Sequence, residues 1–199
     1  MIFNPVDRKK IERLAGEQVE HPWFAPGAPP VLVAVGRLSA EKDYTTLLRA
    51  LAALRPRRPL RLMILGEGNE LEALRALAKA LDVADGVLFA GFVPNPFAYM
   101  RRAAAFVLSS RFEGMPNSLV QAVVLGCRVV ATDCQSGPRE IIGDPPYGKL
   151  VPVGDVRAMA VAIEEVLDAP HSLPPAAITD RFDLDAGLDR YCDLLAMLG

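Results

Sequence analysis

Two cations lie in the loop that follows the first apolar run of the chain. Arg37 and Lys42 come five positions apart, directly after residues 31–35. A pair of cations at the start of a helix disfavours the helix, because its N-terminal dipole prefers anions. The same pair is well suited to holding a diphosphate. The spacing leaves a second interpretation open, in which Lys42 forms a salt bridge with its neighbour Glu41 or Asp43 on a solvated face.

A second group of polar residues follows the fourth apolar run, over residues 109–122. Pro116 suits the first turn of a helix, where its missing N–H is not needed. The free N–H groups of that turn form a site for an anionic or hydroxyl-bearing ligand. Glu113 before the helix and Gln121 in its second turn can reach one ligand, which suits hydrogen bonding to sugar hydroxyls. Glu113 can equally be an acid that caps the helix.

Three other loops carry glycine or an exposed turn. The glycines of residues 66–68 are typical of any strand-to-helix turn, and the first strand lacks the GxGxxG pattern of a dinucleotide-binding oxidoreductase. Phe92 and Val93 follow the third apolar run, where the backbone either contacts the edge of a base or simply turns. Ser136 and Gly137 are small enough to allow a ligand to approach the backbone closely.

The elements that must position these loops alternate between strand and helix. Short β-branched runs that are apolar on both faces, separated by segments of helical periodicity, predict a parallel sheet covered on both sides. The predicted fold class is α/β, a Rossmann-like doubly wound sheet of about six strands, which binds ligands at the carboxyl ends of its strands. The predicted strands are 31–35, 60–65, 87–90, 105–109 and 128–132; the predicted helices are 43–54, 69–81, 96–103, 116–125 and 155–168, with a short helix after residue 137.

The chain divides into three segments by composition. Residues 1–30 combine a short polar helix, starting at Arg8, with a Pro-rich stretch, and are expected to be an interdomain linker. Residues 31–170 form the predicted ligand-binding domain. Residues 171–199 form a tail that starts with a proline-bearing break and ends with an amphipathic helix over 183–198.

Composition excludes several classes of protein. A chain of 199 residues that is 51% hydrophobic and 23% charged is not disordered, and its net charge of −2 does not indicate a nucleic-acid partner. No apolar run approaches the roughly 18–20 residues that span a bilayer. The three cysteines form no CxxC pair, which favours reduced thiols in the cytoplasm. Both histidines lie in Pro-rich segments, which argues against a His-ligated metal.

Taken in order, these loops resemble glycosyltransferase family 4, the group 1 glycosyltransferases of the GT-B fold. Each matching segment is moderately specific, and the ordered set is highly specific. The segments are VGRLSAEKDYTTLLRA (35–50), LMILGEGNELEALRALA (62–78), VLFAGFVPNPFAYMRRA (87–103), LSSRFEGMPNSLVQAVVLGCRVVATDCQSGPREII (108–142) and YGKLVPVGD (147–155).

The resemblance implies a role for each candidate residue. Arg37 and Lys42 would hold the diphosphate of a nucleotide-sugar and, with Glu113 on the donor sugar, form the catalytic set. Gln121 stands where the family has an acid that contacts the ribose, so a charge-assisted bond is lost there. The other expected donor-binding residues are Phe92 and Val93, near the base, and Gly114, Met115, Pro116, Asn117 and Ser118, near the sugar and phosphates.

The activity that the resemblance implies is sugar transfer with retention at the anomeric carbon, from a UDP-sugar rather than a GDP-sugar, during synthesis of a glycan, polysaccharide or glycolipid. No metal or other cofactor is expected. The family's acceptor-binding N-terminal domain is expected to precede this chain, so the fragment alone should be inactive. We expect the cytoplasm as its location, with contact to the inner face of the membrane only through that other domain. Two alternatives stay open: a non-catalytic nucleotide-sugar-binding module and a nucleotide-sugar epimerase of the same fold.

Overall fold

The structure is a computed structural model, and it describes residues 4–143, 146–184 and 187. Its strands are β1 (Val31–Val35), β2 (Arg61–Leu65), β3 (Val87–Phe89), β4 (Ala105–Leu108), β5 (Val129–Thr132) and β6 (Lys149–Val151). Its α-helices are α1 (Arg8–Ala15), α2 (Tyr44–Leu54), α3 (Leu71–Ala80), α4 (Phe97–Arg102), α5 (Asn117–Val124), α6 (Pro138–Ile142), α7 (Val156–Asp168) and α8 (Ala176–Thr179). No helix in these described ranges is both long and apolar enough to cross a membrane.

The six strands form one parallel sheet in the order β3-β2-β1-β4-β5-β6. From β1 the chain moves outward to β2 and β3, then returns to place β4 on the other side of β1, where Leu32 pairs with Ala105. The direction of winding therefore reverses between β1 and β4. In a doubly wound sheet, ligands bind outside the carboxyl ends of the strands at this switch point. The predicted α/β, Rossmann-like fold class is confirmed.

The boundaries of the elements differ from the predicted ones by one or two residues at most ends. The sixth strand, β6, was not among the five predicted individually. It is three residues long and begins with the exposed Lys149, so it shows too little of an apolar run to be recognised as a strand. Backbone pairing with β5 defines it instead. The helix predicted over 183–198 lies almost entirely outside the described residues.

Helices cover both faces of the sheet, which explains why its central strands are apolar on both sides. On one face, side chains of β1, β2 and β4 pack with α2, α3 and α7. On the other face, alternate residues of the same strands pack with α4, α5 and α6, and with α1 and α8. The strands β1, β4 and β5 are consequently almost fully buried. Burying a sheet on two faces removes the period-2 polar pattern from its strands.

The segment before β1 packs against the domain. Helix α1 buries Ile11 and Ala15 in the second apolar cluster, and its last carbonyl groups accept hydrogen bonds from the side chains of Asn95 and Arg102. Trp23 also packs on that cluster. The predicted linker over 1–30 thus contains a helix fixed to the loop before α4 and to α4 itself, and its assignment as a linker stays a prediction.

Candidate functional site

The loops after β1 and β4 meet at the switch point of the sheet. Lys42 Nζ lies 2.5 Å from Glu113 Oε1, although the two residues are 71 positions apart in the chain. Two further contacts join the loops: Ser109 Oγ donates to the carbonyl of Lys42 at 2.7 Å, and the Arg111 N–H donates to the carbonyl of Glu41 at 2.7 Å. The interpretation in which Lys42 pairs with its sequence neighbour Glu41 or Asp43 is therefore wrong. Its partner is the distant Glu113.

Glu113 is a buried carboxylate with two donors on one oxygen. The residue is 9% exposed, and its Oε1 accepts both the Lys42 ammonium and the Ser110 hydroxyl, the latter at 2.7 Å. The N-cap of α5 is Pro116, and no side chain among the described residues caps that helix. The interpretation of Glu113 as a helix-capping acid is therefore wrong, and its carboxylate is directed towards the β1 loop instead.

Asp43 fixes the end of the loop that carries Lys42. Its backbone is in the left-handed region, with φ 45° and ψ 46°, and its side chain is buried. The carboxylate caps α2 by accepting hydrogen bonds from the N–H of Thr46 at 3.3 Å and from its hydroxyl at 2.8 Å. Arg111 Nε lies 3.1 Å from the same carboxylate. The ion pair of Asp43 is therefore with Arg111, whereas Lys42 pairs with Glu113.

Two neutral groups lie beside the ion pair. The buried Tyr44 hydroxyl donates to the carbonyl of Gly36 at 3.2 Å. Burial raises the pKa of Tyr44, and the nearby negative charge of Glu113 raises it further. Burial also raises the pKa of the Cys134 thiol, and Glu113 again adds to the effect. Both groups therefore stay protonated at neutral pH, and they add no negative charge to that of Glu113.

The N-terminal turn of α5 offers unpaired backbone donors next to Glu113. Helix α5 starts at Asn117, one residue later than the prediction, with Pro116 just before it. The N–H groups of Leu119 and Val120 both turn back to the carbonyl of Pro116, at 2.9 and 3.2 Å. Those of Asn117 and Ser118 donate to no acceptor within the described residues. An exposed pair of donors at a helix N-terminus is suited to an anion or a hydroxyl-bearing ligand.

Neither the backbone conformation nor the packing of the described residues requires a glycine at position 114. A Cβ atom built on Gly114 would have no heavy atom within 4 Å, and its φ lies outside the region that favours glycine. By contrast, a Cβ on Gly66 would lie 2.0 Å from the carbonyl oxygen of Gly36, and one on Gly68 would lie 2.1 Å from that of Leu38. The glycines at 66 and 68 thus serve packing between the β1 and β2 loops. The space at 114 is open to a ligand.

The backbone of Gly137 lies close to another part of the protein, the turn before α5. Its φ is +92°, and an added Cβ would lie 2.6 Å from Pro116 Cδ and 3.1 Å from the carbonyl oxygen of Gly114. The expectation that Ser136 and Gly137 make room for a ligand is therefore corrected for Gly137. Its small size lets the β5 loop pack against the turn before α5.

A cleft of about 430 Å³ opens between the loops after β1, β2 and β3. Arg37, Phe92 and Val93 line it, and its walls are mostly apolar. Phe92 is 73% exposed, and its N–H donates to Glu67 Oε1 at 3.2 Å. That N–H is therefore already used within the protein, which removes it as a reader of a base edge. The exposed ring remains available to a flat ligand. Arg37 is exposed and forms no ion pair with a described residue.

The remaining predicted residues lie around the start of α5. Gln121 is half-buried in the second turn, and its side chain makes no hydrogen bond with the part of the chain that the structure describes. Asn117 is exposed, and its Oδ1 accepts from Asn4 Nδ2 at 3.4 Å, near the limit for a hydrogen bond. Met115 packs on the apolar cluster around α4 and α5. Its role is thus to anchor the turn.

Comparison with known proteins places this fold and these loops in one family. The model of the glycosyl transferases group 1 family matches residues 29–169, well over half of the chain. The chain belongs to the group 1 glycosyltransferases. It is 35% identical, over 84% of its length, to the N-acetylgalactosamine-N,N'-diacetylbacillosaminyl-diphospho-undecaprenol 4-alpha-N-acetylgalactosaminyltransferase of Campylobacter jejuni, and covers 44% of that protein. It is 32% identical over 96% of its length to the lipopolysaccharide core biosynthesis glycosyltransferase LpsE of Rhizobium meliloti, covering 53% of it.

Solved structures show the same fold for this group 1 glycosyltransferase chain. Anabaena HepE in complex with UDP superposes with a TM-score of 0.86 at 21% identity, over 98% of this chain and 57% of that one. The apo form of the lipopolysaccharide outer core galactosyltransferase WaaB superposes with a TM-score of 0.78 at 24% identity, over 100% of this chain and 56% of that one. The chain spans about half the length of the relatives and structures that it matches.

Sequence reasoning missed several residues that build the site of this group 1 glycosyltransferase. Ser110 binds Glu113, Asp43 caps α2, and Tyr44 supports the β1 loop through Gly36. The only trace of the first contact in the sequence is that Ser110 and Glu113 lie three positions apart in the loop after β4. The left-handed backbone of Asp43 had no signal beyond the residue type, since Asp and Asn tolerate that region better than other side chains.

Proposed function

We propose that this chain is the donor-binding half of a glycosyltransferase that transfers a sugar from a UDP-sugar, with retention at the anomeric carbon and without a metal ion. The observation that carries the proposal is the meeting of Lys42 and Glu113 at the switch point, next to the free N–H groups at the start of α5. These groups provide a cation, a carboxylate and helix donors at one place, which is what a ligand with both phosphates and hydroxyls requires.

The diphosphate binds between the β1 loop and the start of α5. Lys42, Arg37 and the N–H groups of residues 117 and 118 neutralise its charge. As the bond to the sugar breaks, negative charge grows on the departing diphosphate, and fixed positive groups at that position lower the barrier. Arg37 and Lys42 supply the positive charge from the protein itself, which is the basis for proposing that no metal ion is needed.

The sugar lies beside Glu113, and the nucleoside lies along the cleft. Glu113 accepts a hydrogen bond from a sugar hydroxyl, while Gln121 contacts the ribose through its amide. The base rests in the cleft near Phe92 and Val93, where the exposed ring of Phe92 offers a stacking surface. Gly114 leaves the space that the sugar occupies, since no atom of the described residues lies near the position that its Cβ would take.

The proposed donor and acceptor draw support from related proteins. HepE, which has the same fold, has been crystallised with UDP and with UDP-glucose, which favours a UDP-sugar. The C. jejuni relative is named for an undecaprenol-linked acceptor, and LpsE for lipopolysaccharide core synthesis. We therefore propose a lipid-linked glycan as the acceptor class. Acceptor binding, and any contact with the cytoplasmic face of a membrane, are assigned to a second domain outside this chain.

Calorimetric titration of the 199-residue chain with UDP, UMP and GDP tests the proposal. UDP should bind more tightly than UMP, and EDTA should leave its affinity unchanged. Lys42→Ala and Arg37→Ala should each weaken UDP by about ten- to a hundredfold, the value of one charged hydrogen bond. Lys149→Ala is the matched control, because Lys149 pairs with Glu165 at 2.6 Å at the opposite end of the sheet. A folded chain that binds neither diphosphate at millimolar concentration would refute the proposed function.

A further inference from the structure

The Glu113 carboxylate is held from within its own loop as well as from the β1 loop. Both of its contacts with described residues go to Oε1: the Lys42 ammonium at 2.5 Å and the Ser110 hydroxyl at 2.7 Å. Each contact is charge-assisted, and hydrogen bonds to a charged group are stronger than neutral ones. The other oxygen, Oε2, accepts no hydrogen bond from a described residue, so it is the oxygen that can accept one from a ligand.

Ser110 is built rigidly into the sheet. It is fully buried, with 0% of its surface exposed, and its carbonyl accepts a 2.6 Å hydrogen bond from the Thr132 hydroxyl at the end of β5. Thr132 is itself fully buried. The position of the Ser110 hydroxyl is therefore set by the adjacent strand, and its one proton is committed to Glu113.

The two donors differ in what happens when a diphosphate arrives. Lys42 sits on a loop at the ligand-facing edge, and under the proposed function its ammonium is drawn to the phosphates. Ser110 has no access to the ligand, so its bond to Glu113 persists. A buried carboxylate that loses both donors is costly, since an unsatisfied buried charged group carries its full desolvation penalty.

We propose that Ser110 is a positioning residue that keeps Glu113 directed at the donor sugar while Lys42 turns to the diphosphate. The inference rests on the proposed function, because it needs Glu113 to contact the sugar. Ser110 would then set the preference for a sugar-bearing donor over the bare nucleotide without contacting the ligand itself. The quantity to measure is the selectivity, the ratio of the Kd for UDP to the Kd for a UDP-sugar.

The test compares Ser110→Ala with the parent chain by calorimetry, using UDP, UDP-glucose, UDP-galactose and UDP-N-acetylglucosamine. We expect Ser110→Ala to weaken the best UDP-sugar by about tenfold, a loss close to the lower limit for one charged hydrogen bond, with UDP changed by less than about twofold. Ser110→Thr restores the hydroxyl and should recover most of the selectivity. Thr179→Ala is the matched control, because it removes a buried hydroxyl whose 3.1 Å bond stays within α8.

A double-mutant cycle separates positioning from simple destabilisation and does not depend on the Thr variant folding. In a Glu113→Ala background, which has no carboxylate to position, Ser110→Ala should leave the selectivity unchanged. Equal weakening of UDP and the UDP-sugars by Ser110→Ala, or no change in either, would overturn the proposal while leaving the proposed function standing. A parent that binds every UDP-sugar no better than UDP would also overturn the proposal, together with the proposed contact between Glu113 and the sugar, while the binding of the diphosphate would stand. Failure of the parent to bind UDP at all would instead refute the proposed function.

Discussion

Replacing Glu113 with glutamine removes the negative charge that faces Lys42 while keeping the size of the side chain. In the parent, the Lys42 ammonium is already paired with a carboxylate at 2.5 Å. A diphosphate must therefore share this cation with Glu113 or draw it away. In the variant, the glutamine amide would still accept a hydrogen bond from Ser110 but would compete weakly for Lys42. We therefore expect Glu113→Gln to bind UDP more tightly than the parent does.

The size of the effect follows from the burial of the pair. The side chains of Lys42 and Glu113 are 22% and 10% exposed, so solvent screens the pair only in part. One charged hydrogen bond is worth about 1.5–3 kcal/mol, but an ammonium has three N–H groups and need not give up Glu113 entirely. We therefore expect UDP binding to gain about 1 kcal/mol when Lys42 is no longer shared with a carboxylate, which is about a fivefold gain in affinity. For a UDP-sugar, the exchange of a charged for a neutral acceptor on the sugar costs about as much as the relief gains.

Calorimetry of parent and Glu113→Gln with UDP and the same UDP-sugars measures both numbers at one ionic strength. UDP should gain about fivefold, the best UDP-sugar should change by less than about twofold, and the selectivity should fall accordingly. Glu165→Gln is the matched control, because it converts the carboxylate of the remote Lys149 pair to an amide. If Glu113→Gln weakens UDP as much as it weakens every UDP-sugar, the carboxylate is a structural acid, and the reasoning about a shared cation is refuted.

Two further predictions concern single positions in the same loops. Gly114→Ala should leave the stability unchanged or raise it by up to about 1 kcal/mol, because its backbone and surroundings accept a Cβ, while weakening UDP-sugar binding; an unaltered UDP-sugar affinity in calorimetry would show that the space is not the sugar's. Asp43→Ala should lower the free energy of unfolding by about 2 kcal/mol through loss of the cap and the left-handed backbone, whereas Asp43→Asn should lower it by less than about 1 kcal/mol. Urea unfolding of the two variants measures this difference, and equal losses would show that neither feature matters.

Residue types and their positions were enough to select the main residues of the candidate site, but not to assign their contacts. Arg37, Lys42, Glu113 and Gln121 could be selected from the sequence because each follows a predicted strand or lies in a predicted helix, where a doubly wound sheet binds ligands. The roles of Lys42 and Glu113 could not be fixed locally, because each had a neighbour able to explain it. Lys42 adjoins two acids, and Glu113 precedes a helix that it could have capped. Only the contacts between distant loops excluded those alternatives.

The sequence by itself determined the alternation of strands and helices, the class of the fold and the loops that face the ligand, because these follow from apolar periodicity and from glycine and proline at the turns. Only the tertiary structure decided that Lys42 pairs with Glu113, that Ser110 donates a hydrogen bond to that carboxylate, and that β6 forms one edge of the sheet. These contacts join residues far apart in the chain, or depend on backbone pairing that leaves little trace in residue type. The order of the strands brings the β1 and β4 loops together, and that order is a property of the packed sheet rather than of any single segment.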